Sequence, residues 1–198
     1  MAIRSLKTNV FSRKALVGNT TFNPGDYESI ETFTVGGGGS ASITFSSIPA
    51  DWQHLQLRIL ARNNHSSAGL SFMRAKFNSD ATSANYRGHY LYGSGSSASA
   101  GAVAGAASGL PCGYSAGNTN TIGAFAPTVL DILDYASGDQ NKTTRALTGG
   151  DFNTTSGGLT FVSGLYMITS AITSIDIVPS VGTGFVEYSS FALYGIKG

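Results

Sequence analysis

The chain has 198 residues, a length that suits one large β domain. Folding at this size removes roughly 70% of the unfolded chain's surface from water, so no metal or disulfide staple is required. Only 12% of residues are Asp, Glu, Lys or Arg and the net charge is +1, which excludes a global field that draws in nucleic acid or a membrane. The single Cys112 excludes an internal disulfide and leaves the redox compartment open.

The first element in chain order is an arm, residues 1–25. Arg4, Lys7, Arg13 and Lys14 fall within its first 14 residues, and no acid precedes Asp26. The rest of the chain holds eight basic against eleven acidic groups. Ile3, Leu6, Val10, Phe11, Leu16 and Val17 make the arm too apolar for a free tail. A basic, apolar segment suits a position across a neighbouring subunit, with Arg4, Leu6, Lys7, Phe11, Arg13 and Lys14 as its contacts. Packing along its own domain is the alternative. The arm lacks the continuous apolar core of a secretory signal, and no run of about eighteen apolar residues occurs anywhere. Neither export nor membrane insertion is therefore expected. Four N-x-S/T triplets begin at Asn19, Asn64, Asn141 and Asn153, and without a signal peptide they read as turn-forming sequence.

From 26 to 198 a single domain is expected. The strand predicted at 54–62, "HLQLRILAR", puts Leu55, Leu57, Ile59 and Ala61 on one face and His54, Gln56, Arg58 and Arg62 on the other. Residues 71–78, "SFMRAKFN", repeat the alternation, with Met73, Ala75 and Phe77 opposed to Arg74 and Lys76. Phe72 joins the charged face, under the lysine stem. Further strands are predicted at 31–35, 41–45, 89–92, 129–135, 143–148, 159–162, 164–169, 172–178 and 189–196. Turn signals separate them, among them "GGGG" at 36–39, "NSD" at 78–80 and "GTG" at 182–184. No segment keeps helical spacing for long. The fold class is all-β, an antiparallel β-sandwich.

Residues 93–108, "GSGSSASAGAVAGAAS", stand apart. Gly, Ser and Ala bury too little apolar area to offset about 1–2 kcal/mol of backbone entropy per residue. A flexible loop over about 93–125 is expected, mobile or ordered only against another chain.

The charged stretch at 128–150, "TVLDILDYASGDQNKTTRALTGG", reads as a hairpin. Asp131 and Asp134 are three apart, so an extended strand sends them to opposite faces, away from the paired geometry of glycoside hydrolysis. Arg145 returns beside the aspartates, a cross-strand match worth about 0.2–1 kcal/mol per pair. A hydrolase would need carboxylates from separate strands, Asp131 with Asp176 for example. His54, His65 and His89 have no metal-ligand spacing, and Cys112 has no charged neighbour in sequence to lower its pKa. No nucleotide-binding or nucleophile-elbow motif occurs. No enzyme, cofactor or metal is expected. Tyr86, His89, Tyr90 and Tyr92 in "NYRGHYLYG" form a candidate glycan-stacking set, with core and rim packing as the alternative.

Most of the chain resembles a family of small virion-associated proteins of bacteriophages, especially marine and cyanobacterial ones. The resemblance is densest in the terminal "YSSFALYGIKG" and in "VLDILDYASGDQNKTTRALTG". It continues through "SITFSSIPADWQHLQLRILAR", "GLYMITSAITSIDI" and the opening "MAIRSLKTNVFSRKALVGN", and is weakest over 93–125. It implies a jelly-roll-like sandwich on the phage particle surface, with no catalytic residues to carry over. Expected partners are further copies of itself, as a homotrimer, and the major capsid or tail proteins gripped by the arm. A capsid decoration or cement role is the first expectation. A tail-fibre or adhesin role, or a module binding host surface glycan, is the alternative.

Overall fold

The computed structural model describes residues 26–66, 69–95, 97–152 and 157–198; the predicted arm at 1–25, with all six of its named contacts, lies outside them. The described residues form twelve strands and one 3₁₀ turn, Ser83–Asn85. In chain order the strands are β1 (Tyr27–Thr34), β2 (Ile43–Phe45), β3 (His54–Ala61), β4 (Leu70–Phe77), β5 (Tyr86–Ser94) and β6 (Ser97–Ala104). They continue as β7 (Leu110–Ala116), β8 (Ala126–Leu133), β9 (Lys142–Gly150), β10 (Gly158–Tyr166), β11 (Ile175–Pro179) and β12 (Ser190–Ile196).

Two antiparallel sheets pack face to face. One has eight strands in the order β1-β12-β3-β8-β9-β10-β5-β6, the other four in the order β2-β11-β4-β7. With the hairpins β5–β6 and β9–β10 set aside, the sheets read β1-β12-β3-β8 and β2-β11-β4-β7. With those hairpins left out, the chain changes sheet at β1 to β2, β2 to β3, β3 to β4, β7 to β8, β8 to β11 and β11 to β12. This is the double Greek-key winding of a jelly roll. The two extra hairpins widen the first sheet beyond β8.

Period-two patterning explains the sandwich. Leu55, Leu57, Ile59 and Ala61 of β3 are all at most 3% exposed, and Met73, Ala75 and Phe77 of β4 face them at 0%. Phe72, on the other face of β4, packs on the Tyr114 ring at 4.2 Å and edge-on to Tyr90 at 5.8 Å, not under the lysine stem. Lys76 instead pairs with Asp176 at 3.4 Å. Arg62 departs from its expected place on the wet face. β3 ends at Ala61, and the Arg62 side chain turns inward to hold loop carbonyls.

Two polar side chains brace the opposite end. Lys142 is fully buried, and its ammonium donates to the carbonyls of Ser137, of Gln140 at 3.0 Å and of Thr169 at 2.9 Å. This ties the β8–β9 turn to the segment after β10. The Tyr135 hydroxyl donates to the Pro49 carbonyl and closes the same end. Asp131 and Arg145 stand opposite each other, with Nε to Oδ2 at 3.0 Å, as the hairpin reading requires.

Two expectations need correction. Residues 159–162 and 164–169 belong to one strand, β10, because Gly164 stays in the ladder opposite Gly88 and Thr144. The region 93–125 is not a loop throughout, since it contains β6 and β7. β7, "LPCGYSA", is buried at every position, so it shows no alternation to read. Gly113 permits this closeness: at φ +129°, a Cβ there would lie 2.5 Å from the Thr128 methyl. β6 has almost no apolar side chains to form a pattern, and it is held by its backbone ladder to β5.

The core is rich in tyrosine. Tyr86 and Tyr166 stack at 5.0 Å, and the Tyr86 hydroxyl donates to the Asp80 carbonyl at 2.9 Å. Burial pushes Tyr86 from the usual 10.0 up to about 12, and raises Tyr114 and Tyr166 as well. The folded state thus favours the neutral ring. That contribution to stability is complete below pH 10.0 and is lost as pH rises through about 12. Tyrosinate absorbance from these residues should appear together with cooperative loss of β structure in this window. Ionisation completed before any unfolding would contradict the buried assignment.

Candidate interaction surface

Outward positions of a half-wet antiparallel sheet are usually polar. Four adjacent strands here break that rule at the same level. Cross-strand register sets Val129 of β8 opposite Leu147 of β9, Leu147 opposite Phe161 of β10, Phe161 opposite Leu91 of β5, and Leu91 opposite Ala100 of β6. Their outward direction follows from their neighbours: Leu130, Ala146 and Val162, one residue away, are buried in the core. Val129, Leu147, Phe161 and Leu91 are 40%, 52%, 46% and 57% exposed, and Leu159, one step along β10 on the same face, is 58% exposed.

The row therefore crosses the sheet as a contiguous apolar band, and the largest contiguous apolar patch on a surface is often functional. Two shallow hollows of about 220 and 400 Å³ share Leu147 and Phe161 as walls, one towards Leu91 and Ala98, the other towards Val129. The next level along the strands is polar, with Asp131, Arg145, Ser163 and His89 in register. An apolar centre beside a polar rim is the anatomy of a protein interface.

Sequence reasoning did not find this row. Val129 and Leu147 each lie two residues from a charged outward residue, Asp131 and Arg145, so parity alone marks them as outward. The alignment across four strands becomes visible only once the pairing is known.

The candidate glycan-stacking set does not assemble. Tyr86 is 0% exposed in the core, and Tyr90 and Tyr92 share its inward parity. Tyr90 meets Phe72 edge-on and Tyr92 stacks with Tyr114 at 6.2 Å, whereas His89 points to the outer face. Alternation along β5 divides the set between two faces.

The carboxylates also stay apart. Asp131 faces out from the eight-stranded sheet, whereas Asp176 lies on the outside of the four-stranded one, accepting from Thr44 at 2.7 Å. The whole sandwich separates them, which overturns the Asp131–Asp176 pairing. Asp134 sits at the end of β8 with φ 47°, where its N–H donates to His54 Nδ1 at 3.0 Å. Cys112 is buried, which raises its thiol to about 12 and leaves it a poor nucleophile. Among the described residues no three His, Cys, Asp or Glu gather as a metal site.

The chain matches no protein-family model, no curated protein and no solved structure.

Proposed function

We propose that this chain is a structural protein of a bacteriophage particle, a homotrimeric capsid decoration or cement protein that holds neighbouring subunits together. The observation that carries the reading is the apolar row Val129–Leu147–Phe161–Leu91 on the outside of the larger sheet. A chain that works alone gains nothing from keeping these side chains in water. A chain that works in an assembly gains roughly 25 cal/mol per Å² when they are covered, before ordering costs. Stable interfaces cover about 800 Å² per partner, within reach of the band and its rim.

The family resemblance of the sequence blocks and the jelly-roll winding support the same role. The composition of residues 1–25 adds to it, since a basic, apolar arm is suited to an acidic platform on adjacent capsid or tail subunits. Charge steers such an encounter and buried area holds it. No catalysis belongs to the role. Host-glycan recognition through the 86–92 aromatics is not part of it, because Tyr86, Tyr90 and Tyr92 lie on the inner face of β5 and only His89 faces outward.

Gold-labelled antibody against the purified protein tests the placement on intact particles. Label over the heads at regular spacing is the expected result. Label confined to tails would replace decoration with a fibre role, and particles free of label would overturn the proposal.

A further inference from the structure

We infer that the free edge of β6 pairs antiparallel with β6 of a second copy, joining two eight-stranded sheets into one. Among the described residues β6 is the last strand of its sheet and is bonded to β5 alone. Alternate residues of such a strand aim their N–H and C=O groups away from the sheet, open to whatever lies alongside. Edges are commonly blunted by charge, proline or a bulge. The opposite edge is blunted: β1 carries Glu28 and Glu31, with a register break between Ser29 and Glu31. The β6 sequence, "SASAGAVA", has no charge and no proline, and it pairs with β5 in unbroken register.

A second observation is independent of that contrast. Every β6 residue except Gly101 and Val103 is exposed. Ordering each residue costs about 1–2 kcal/mol of backbone entropy, and side chains this small and this wet return little of it. A single backbone ladder to β5 holds the strand. A partner strand on the free side supplies a second ladder.

The spacing selects a second copy as that partner. Antiparallel pairing centred on Gly101 sets Ala98 opposite Ala104 of the second copy, and Ala100 opposite Ala102 of the second copy. No like charges meet, and no side chain is large enough to hold the strands apart. The two-fold axis stands perpendicular to the sheet and keeps both outer faces on the same side. The apolar row, which ends at Ala100, then continues into its counterpart across the junction. The face itself stays open, so the edge contact does not rest on the proposed particle role; beside a homotrimer it joins one trimer to the next, since a two-fold contact cannot close a ring of three.

Two variants of the full chain test this. Ala100→Lys/Ala102→Lys puts ammonium groups directly opposite one another across the two-fold, while in a single chain both side chains project into water. Sedimentation equilibrium should show the self-association constant weakened on the order of tenfold or more, with circular dichroism unchanged. Ala100→Cys/Ala102→Cys should give covalent dimers under mild oxidant, with buried Cys112 adding no background. Those dimers should persist when Leu147→Asp/Phe161→Asp is added, which separates the edge from the face. Unchanged association in the lysine variant, or a cysteine variant that stays monomeric, overturns the inference. A wild-type chain that is monomeric at every concentration also overturns it, and leaves the edge to a strand from a different chain.

Discussion

Arg62→Ala is expected to destabilise the fold by about 3–4 kcal/mol, an effect on the scale of losing a buried hydrogen-bond network. The Arg62 guanidinium donates to four carbonyls of the β7–β8 connection: Thr121 at 2.8 Å, Ala124 at 3.0 Å, Asn118 at 2.7 Å and Asn120 at 2.9 Å. Alanine leaves these acceptors without the donor around which the loop is wrapped. Water reaches some of them after the loop loosens, so the cost stays below four separate penalties. The same loop is tied by Asn120 to Gly69 and by the Thr121 hydroxyl to the Phe152 carbonyl, and it carries Ile122, 96% exposed, into solvent. Backbone amides of 117–124 should therefore exchange faster even where the sheets stay protected. Arg62→Lys keeps the charge but not the planar fork, and should recover only part of the loss. Denaturant unfolding combined with hydrogen exchange measures both effects. A change below about 1 kcal/mol with an unaltered loop would contradict the bracing role.

Arg62 also shows where sequence reading stops. Alternation along β3 correctly separated Leu55, Leu57 and Ile59 from Gln56 and Arg58, because a strand with one buried face repeats every two residues. Counting one residue past the end of the strand placed Arg62 with the wet set. The strand ends at Ala61, and beyond it parity has no meaning.

The Asp131–Arg145 hairpin was legible because turn-forming residues, charge and spacing all agreed. β7 was not legible, since a strand covered on both sides has no polar face to mark it. β6 was hidden for the opposite reason: it buries almost no side chain, so only backbone pairing defines it. The glycan-stacking set failed through alternation itself. Tyr86, Tyr90 and Tyr92 are spaced for one face of β5, and that face is the inner one. The apolar row was partly readable. Val129 and Leu147 share outward parity with charged neighbours, but bringing Phe161 and Leu91 into line needs the strand order β8-β9-β10-β5, which follows from long-range pairing.

The apolar row carries the larger functional prediction. Leu147→Asp/Phe161→Asp replaces its two central side chains with carboxylates. In the free protein both are about half exposed, but the two carboxylates face each other across β9 and β10 and aspartate is a poor strand former, so folding stability should fall by about 1–2 kcal/mol and leave the chain folded. In an interface the same positions lie at the centre, where truncating a well-packed apolar anchor costs about 2 kcal/mol or more and burying an unpaired carboxylate adds to it. Two such losses weaken association on the order of a thousandfold. The polar level alongside, with Asp131 paired to Arg145 at 3.0 Å, offers the new carboxylates no free cation in that pair.

Co-sedimentation of wild-type and Leu147→Asp/Phe161→Asp protein with phage particles lacking the native chain is the most direct measurement. Wild type should pellet saturably with the particles, while the variant, equally folded by circular dichroism, should stay in the supernatant. Equal binding of the two proteins would contradict the assignment of this sheet face to assembly.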